Sequence, residues 1–341
     1  MSKIDVGFGI PLYMQPYWDE SGEYFPHALD SVFINEELSY THGDIDVSLE
    51  NIIRITHEMV GNAVTEGSTI VVGNGASQVI SSVGYASKAL GYDDFSLNAP
   101  FWGRLEFLLT VGQKAYDFTN AKPRKTPKKP IFDFVTRPNN PDSSMRGADE
   151  SFSVVDMCYN WPQYVPQVEK GDYDVMIFSL AKATGHAGTR IGWAVVKDPE
   201  VAAIMKDYME LSTCGVSVDS QRKADGVFTR ILSLSRFFKS PFDYAKEELS
   251  LRWEVFKNGV KDNTDFKLLN QHGMFAFCEL SSNDEPVGFM DNKYDLIVTP
   301  GRNLGLTSDS NCFRINLGCS EENFTKMMGS LRANKPSITG N

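Results

Sequence analysis

The stretch Ile177-Phe-Ser-Leu-Ala-Lys-Ala-Thr-Gly-His-Ala-Gly-Thr-Arg-Ile-Gly-Trp193 decides the fold of this chain. It begins as an apolar strand, continues through a loop of small residues and ends in a second apolar run. Lys182 lies where the first strand enters the loop. A lysine partly withdrawn from water has a lowered pKa, which makes its amine a usable nucleophile toward carbonyl groups. A lysine considered alone is usually a surface residue, so the rest of the sequence has to support this interpretation.

Strands and helices alternate on both sides of this stretch. The strands are continuous apolar runs, which are typical of a mostly parallel sheet covered on both faces. We therefore predict an α/β fold. The predicted strands are 68–72, 94–98, 131–136, 153–156, 175–179 and 191–196, and the predicted helices before residue 177 are 48–66, 76–90 and 104–112.

The chain is predicted to have three parts. Residues 1–45 form an arm rich in glycine, proline and aromatic residues, which we expect to be extended and to pack on another element such as a second subunit. Residues 46–225 form a large domain, and residues 226–341 form a smaller α+β domain. Helix is predicted from 199 to about 260, followed by strands at 274–280, 295–298 and 313–317 and a helix over 320–331. Three prolines and five basic residues over 121–130 predict a solvated loop.

Composition and charge exclude several classes of protein. Of the 341 residues, 33 are basic and 44 acidic, and the net charge of −11 disfavours nucleic acid and anionic membranes as partners. No apolar run approaches the roughly 20 residues that span a bilayer, and the N-terminus lacks the apolar core of a signal peptide. The five cysteines lack CxxC spacing, so we predict no disulfides, no metal site and a cytoplasmic location.

Three polar segments follow predicted strands. Gly73-Asn-Gly-Ala-Ser77 joins a strand to a helix, where unpaired N–H groups suit a phosphate. Asn140 lies in the rigid turn Pro138-Asn-Asn-Pro141, and Asp156 ends a strand at the edge where open α/β sheets bind ligands. Each segment alone has an ordinary reading as a turn or helix cap; their order along the chain is what makes the set specific.

That order is a glycine-rich turn, the pair Phe101-Trp102, an Asn-Pro turn, Asp-x-x-Tyr, Ser-x-x-Lys, an arginine eight residues later and a late Phe-Arg-Ile. The set resembles the fold-type I enzymes that use pyridoxal 5′-phosphate (PLP). The closest resemblance is to the plant tryptophan–pyruvate aminotransferase and alliinase family. It is carried by Val60-Gly-Asn-Ala-Val-Thr-Glu66, Ile70-Val-Val-Gly-Asn-Gly-Ala-Ser-Gln78, Val135-Thr-Arg-Pro-Asn-Asn-Pro-Asp142, Tyr159-Asn-Trp-Pro-Gln-Tyr-Val-Pro166 and Thr184-Gly-His-Ala-Gly-Thr-Arg-Ile-Gly-Trp-Ala-Val-Val-Lys-Asp198.

The resemblance implies a large PLP-binding domain with a mostly parallel seven-stranded sheet, a smaller α+β C-terminal domain and a homodimer whose arm contributes to the active site. It implies that Lys182 forms an aldimine with PLP and moves a proton, and that Asp156 pairs with the protonated pyridine nitrogen. Tyr159 and Asn140 would hydrogen-bond the ring's phenolic oxygen and lower the aldimine pKa.

The resemblance also implies the remaining ligands. Trp102, or alternatively Phe101, would stack on the PLP ring. Arg314, together with Asn140, would bind the substrate carboxylate, because a planar guanidinium matches that group. The implied phosphate ligands are Gly75, Ala76, Ser77, Ser179 and Arg190, with Tyr40 reaching across from the second subunit.

The chain departs from the family pattern at several places. Asn160 stands where the family's Tyr-Tyr-Trp-Pro pattern has its second tyrosine, and the family's Gly-Asp-Pro start reads Gly9-Ile-Pro11. The loop at 121–130 replaces a longer segment, and the Cys-rich module of alliinases is missing. These changes affect the expected substrate and leave the cofactor residues intact.

The leading interpretation is an aminotransferase that moves an amino group from an L-amino acid, aromatic or otherwise apolar, to a 2-oxo acid. The alternative is a C–S lyase of alliinase type or another PLP reaction. A PLP-fold protein without catalysis is disfavoured because Lys182 and Asp156 are both present. A nucleotide-binding dehydrogenase is disfavoured because Gln78 stands where a GxGxxG motif has its third glycine.

Overall fold

The computed structural model describes residues 3–7, 9–24, 40–119, 129–148, 152–234 and 239–334. Within these ranges the helices are α1 (Gln15–Tyr24), α2 (Val47–Val60), α3 (Ala76–Ala89), α4 (Leu105–Thr119), α5 (Leu180–Thr184), α6 (Pro199–Thr213), α7 (Val218–Leu234), α8 (Pro241–Val260), α9 (Pro286–Tyr294) and α10 (Glu321–Ala333). The strands are β1 (Ile4–Asp5), β2 (Thr69–Asn74), β3 (Tyr92–Ser96), β4 (Lys129–Thr136), β5 (Val154–Asp156), β6 (Val175–Ser179), β7 (Ile191–Val196), β8 (Phe266–Leu268), β9 (Phe275–Leu280), β10 (Leu296–Ile297), β11 (Thr299–Pro300) and β12 (Cys312–Asn316).

The main sheet has the strand order β2-β7-β6-β5-β4-β3. Strand β7 is antiparallel to both of its neighbours, and the other pairs are parallel. Every residue of β5, β6 and β7 is buried, so the predicted α/β sheet covered on both faces is confirmed. The described residues supply six strands and not the seven expected. The chain between α4 and β4 passes through residues outside the described ranges, and β3 is the edge strand of the described sheet.

Parallel pairing brings the carboxyl ends of β4, β5 and β6 to one edge of this sheet. Asp156 is the last residue of β5 and pairs with Ile177, two residues before the end of β6 at Ser179. Thr136 ends β4 opposite Asp156. Polar residues that lie far apart along the chain therefore meet at one edge, which is where open α/β sheets bind ligands.

A second sheet lies in the C-terminal part of the chain. It is antiparallel, with the order β11-β12-β9-β8, and it contains the strands predicted at 274–280 and 313–317. The strand predicted at 295–298 is β10, which pairs with β1 in a separate two-stranded sheet. The proposed domain boundary at residue 225 falls inside α7, and the three-part division remains a proposal. The predicted loop at 121–130 lies outside the described residues except for its last two residues, which begin β4.

The expectation that the arm is extended is wrong for residues 15–24, and the element on which its described part packs belongs to the same chain. Residues 15–24 are helical, with Pro16 in the first turn, where its missing N–H removes no intrahelical hydrogen bond. Strand β1 pairs with β10 of the same chain, and Tyr13 and Met14 are buried. The prediction gave most weight to the glycine and proline residues of the arm, although Tyr13, Tyr17 and Tyr24 recur at the helical spacings of four and seven residues.

Several predicted helices also have different ends. The helix expected over 48–66 stops at Val60, because Gly61 adopts a left-handed conformation with φ of 74°. The helical stretch expected from 199 to 260 divides into three, with a break after Thr213, where Cys214 and Gly215 both have positive φ. Among the described residues no helix is long and apolar enough to cross a membrane; the cytoplasmic location stays a prediction.

Helices α3 and α4 cross at very short range. A Cβ on Gly84 would lie 2.2 Å from the carbonyl oxygen of Leu109, and one on Gly112 would lie 1.8 Å from that of Ser81. Only glycine permits backbones to approach this closely. The contact matters for the site because α3 begins at Ala76, at the carboxyl edge of β2.

We predict that Gly112→Ala destabilises the protein by about 1–3 kcal/mol, since the added methyl group meets backbone and not a flexible side chain. Gly329→Ala in α10 is the matched control. That glycine is exposed with nothing within 4 Å of an added Cβ, so alanine should stabilise the helix by about 0.5–1 kcal/mol. Urea denaturation of both variants measures the difference. Equal effects would contradict the close crossing.

Candidate active site

Lys182 lies in the short helix α5, directly after β6. Its Nζ donates a hydrogen bond to the carbonyl oxygen of Gly9 in the arm. Its own carbonyl oxygen accepts hydrogen bonds from Tyr164 Oη at 3.0 Å and Gln163 Nε2 at 3.2 Å, which fix the end of the helix. Burial lowers the pKa of Lys182 to about 8, and the positive charge of Arg314 acts in the same direction. A substantial fraction of this amine is therefore neutral near pH 8.

Asp156 is buried at the end of β5. Its Oδ1 accepts a hydrogen bond from the backbone N–H of Cys158 at 3.0 Å. Burial raises the pKa of this carboxyl, while hydrogen bonds from Cys158 and the charge of Lys182 oppose the rise. A buried carboxylate of this kind is stabilised by a cationic N–H partner.

Tyr159, Asn140 and Arg314 form a hydrogen-bonded chain next to these two residues. Asn140 Nδ2 donates to Tyr159 Oη at 3.2 Å, and Arg314 Nη1 donates to Asn140 Oδ1 at 2.8 Å. The ring of Tyr159 lies 5.7 Å from Lys182 Nζ. Burial raises the pKa of Tyr159 well above its usual range, so this phenol keeps its proton.

Arg314 is a buried cation held by the arm and the second sheet. Its Nη2 donates to the carbonyl oxygen of Gly7 at 2.9 Å and to Thr299 Oγ1 at 3.3 Å. Its guanidinium lies 4.1 Å from the centre of the Phe275 ring. Burial lowers its pKa to about 10, so the guanidinium remains charged near neutral pH. An anionic ligand would supply the counter-charge that this cation lacks among its direct hydrogen-bond partners.

A second group of residues surrounds the start of α3. Gly75 caps this helix with φ of 76°, and the first N–H groups of the helix, from Ala76 and Ser77, have no intrahelical acceptor. Arg190 Nη2 donates to the carbonyl oxygen of Asn74 at 3.3 Å. A Cβ on Gly75 would lie 2.3 Å from that same Nη2, so glycine is required for the guanidinium to approach.

Neighbouring strands complete this second group. Ser179 pairs with Gly192 across β6 and β7, and it precedes α5 without a side-chain capping bond. A Cβ on Gly192 would lie 2.2 Å from the backbone nitrogen of Ala76. Glycine here lets β7 approach the helix start, which brings Ser179 and Arg190 toward the same N–H groups.

The remaining predicted residues, Phe101, Trp102 and Tyr40, make no hydrogen bond to the two groups above among the described residues. Asn139 Nδ2 donates to the carbonyl oxygen of Pro100 at 2.9 Å, which joins the turn before Phe101 and Trp102 to the Asn140 turn. Both aromatic rings are partly buried. Tyr40 is 70% exposed and packs edge-on against His42; among the described residues no contact joins it to the two groups above.

Sequence reasoning missed several residues of the site. Gly7 and Gly9 act through backbone carbonyls, which every residue has, so no side-chain pattern marks them. Phe275 and Thr299 lie on strands of the second sheet that read as ordinary core positions. Among the described residues, no group of three histidine, cysteine or acidic side chains could hold a metal ion.

The chemistry of the two groups fits PLP. Helix N–H groups, a serine hydroxyl and a guanidinium suit a phosphate ester. The buried carboxylate of Asp156 suits a protonated ring nitrogen, the retained proton of Tyr159 suits a phenolate oxygen, and the partly neutral amine of Lys182 suits an aldehyde.

Similarity to known proteins supports the fit of these residues to PLP. The family model Alliinase_C, described as "Allinase", matches residues 4–287. Tryptophan aminotransferase-related protein 2 of Arabidopsis thaliana is 35% identical over 286 residues, which cover 78% of this chain and 63% of that protein. Alliin lyase 2 of Allium sativum is 28% identical over 304 residues, which cover 83% of this chain and 60% of that protein. The chain thus spans about three fifths of the length of these curated relatives.

A solved structure extends the comparison to the fold. An aminotransferase from Staphylococcus aureus superposes with a TM-score of 0.72 at 15% identity, covering 98% of this chain and 94% of the other. The similarity includes both sheets and shows a shared architecture. The chain belongs to the alliinase family, among the fold-type I enzymes whose cofactor is PLP.

Proposed function

We propose that this protein is an aminotransferase that takes the amino group of an aromatic or otherwise apolar L-amino acid and passes it to a 2-oxo acid. The observation that carries the proposal is Arg314, buried beside Asn140 with Lys182 nearby. Both half-reactions of a transamination use an α-carboxylate, and one guanidinium can hold it in each. Relatives named for tryptophan aminotransferase support an aromatic substrate.

The cofactor would be held by the two groups of residues described above. The helix start at Gly75, Ala76 and Ser77, with Ser179 and Arg190, would bind the phosphate. Asp156 would accept a hydrogen bond from the ring nitrogen, and Trp102 would cover the ring, with Phe101 as the alternative. When bound, PLP supplies an electron sink for the bonds at the substrate's α-carbon.

The chain's own residues would then move the proton. Lys182 Nζ, partly neutral at pH 8, accepts the proton from the substrate's α-carbon. Tyr159 and Asn140 donate hydrogen bonds to the ring's phenolic oxygen, and Arg314 orients the substrate by its carboxylate. The buried aromatic side chains of Tyr159 and Phe275, whose ring centres are 5.8 Å apart, pack edge-on beside this part of the site.

A lyase that eliminates a β-substituent is the second candidate, because the chain is also similar to alliin lyases. Both reactions begin with removal of the same α-proton. They differ in what leaves the substrate, which a product measurement resolves.

The decisive experiment mixes the yellow PLP-loaded protein with a panel of amino acids and no 2-oxo acid. For an aminotransferase we expect the colour to bleach permanently with one 2-oxo acid released per site, since the nitrogen stays on the enzyme. For a lyase we expect the colour to persist while pyruvate and ammonia accumulate. Lys182→Ala is the control and should do neither. Failure of the purified protein to bind PLP would overturn both candidates.

The lowered pKa of Lys182 predicts how the unloaded protein takes up PLP. The neutral amine is the reactive form, so the rate of uptake should rise with pH through about 8 and level off above it. An unperturbed lysine would continue to gain rate up to its ordinary value of 10.5. Stopped-flow absorbance from pH 6.5 to 10.5 measures the profile. A rate still rising above pH 9.5 would contradict the burial of this amine.

We further propose a homodimer in which Tyr40 reaches the phosphate of the second subunit. Its exposed ring supports this role, because nothing in its own chain covers it beyond His42 within the described residues. Tyr40→Phe should then weaken PLP retention about 10-fold, as expected for loss of one hydrogen bond to a charged group. Equilibrium dialysis measures the retention. Tyr173→Phe, at the opposite edge of the main sheet, is the control, and equal retention in both variants would reject the role.

A further inference from the structure

We propose that His57, in α2, is a positioning residue that orients Tyr159 through a chain of hydrogen bonds that runs in one direction through Asn62 to Asn160. The proposal rests on the role of Tyr159 in the proposed function. It goes beyond that function by adding three residues that touch neither cofactor nor substrate.

The protonation of His57 is determined by its partners. His57 is fully buried in α2. Trp193 Nε1 lies 2.9 Å from His57 Nε2, and an indole N–H can only donate, so Nε2 is the acceptor. The ring proton is therefore on Nδ1, which lies 2.6 Å from Asn62 Oδ1. Burial lowers the pKa of His57 to about 4, which keeps the ring neutral in this tautomer.

Asn62 links His57 to the turn that carries Tyr159. Because its oxygen accepts from His57, its Nδ2 faces the other way and donates to the carbonyl oxygen of Asn160 at 2.9 Å. The backbone N–H of Asn160 donates to the carbonyl oxygen of Met157 at 2.9 Å and closes the turn 157–160. Each link has one available direction, from Trp193 to His57 to Asn62 to Asn160.

The side chain of Asn160 joins the turn 157–160 to the backbone of Glu169. Its Nδ2 donates to the carbonyl oxygen of Glu169 at 2.6 Å, and its Oδ1 accepts from the backbone N–H of Glu169 at 3.3 Å. The carboxylate of Glu169 is itself paired with Arg137 at 2.6 Å. A bulkier residue at position 160 could not make this pair of amide contacts, so the departure from the family pattern at Asn160 is part of the chain.

The ring of His57 contacts aromatic side chains from three segments that carry site residues. Its ring centre lies 4.4 Å from that of Phe178, which precedes Ser179, and 5.7 Å from that of Trp161, which follows Tyr159 by two residues. Trp193 follows Arg190 by three residues and packs on Phe178. One imidazole therefore contacts the strands and the turn that carry Tyr159, Lys182 and Arg190.

The test uses Asn62→Asp, which preserves size and, as the ionised carboxylate, still accepts from His57 but cannot donate to Asn160. The readout is the pH midpoint of the visible absorption of the PLP-loaded protein without substrate. Misplacing Tyr159 weakens its hydrogen bond to the cofactor, so the midpoint should rise by roughly 0.5–1 pH unit, a 3- to 10-fold change in proton affinity. The matched control is Asn263→Asp, a buried asparagine that bonds Tyr294 Oη at 2.9 Å in another part of the fold; its midpoint should not move.

A double variant separates positioning from general damage. In a Tyr159→Phe background, Asn62→Asp should add no further shift, because the residue it acts through has lost its hydroxyl. Additive shifts would overturn the proposal, as would an unchanged midpoint in Asn62→Asp alone. Since no substrate is present, these results do not depend on whether the enzyme is an aminotransferase or a lyase.

Nuclear magnetic resonance of the unaltered protein keeps the proposal testable if Asn62→Asp does not fold. With ¹⁵N-labelled histidine, His57 should carry its proton on Nδ1 and remain neutral down to about pH 5. A proton on Nε2, or titration near the ordinary value of 6.5, would reject the chain of hydrogen bonds.

Discussion

The hydrogen bond from Arg314 to Asn140 is the contact on which the site depends, because it joins the two sheets of the molecule. Asn140 lies in the turn after β4 of the main sheet, and Arg314 lies on β12 of the second sheet. Neither sheet alone contains both the lysine that attacks an aldehyde and the cation that holds a carboxylate. Formation of the site therefore requires that the two sheets meet in one relative position.

Burial of two cations is the energetic cost of that arrangement. Lys182 and Arg314 both have pKa values lowered by burial, and the positive charge of Arg314 lowers the pKa of Lys182 further. Their direct hydrogen-bond partners are mainly neutral groups, such as the carbonyl oxygens of Gly7 and Gly9. A phosphorylated aldehyde and a carboxylate substrate bring the missing negative charge, so the same desolvation that opposes folding favours binding.

Much of the main sheet and of the candidate site could be predicted from the sequence, for an identifiable reason. Asp156 ends one short, mostly apolar strand and Lys182 comes shortly after another, and parallel pairing sends the ends of such strands to one edge. Helix α1 was not predicted, because the glycine and proline residues of the arm favour turns. The backbone contacts of Gly7 and Gly9 could not be predicted either, because they involve no side chain. The role of His57 in α2 could not be predicted, since its partners, Asn62 and Trp193, are specified only by tertiary structure.

The pairing of β1 with β10 has a consequence for the order in which the protein is assembled. Ile4 pairs with Leu296, so this strand finds its partner only after all the residues between them have been made. Gly7 and Gly9, whose carbonyl oxygens accept hydrogen bonds from Arg314 and Lys182, follow that strand by two and four residues. Contacts this distant along the chain close late in folding, since the loop they close is long. We therefore expect the contacts of β1, Gly7 and Gly9 to form last, after both sheets have folded.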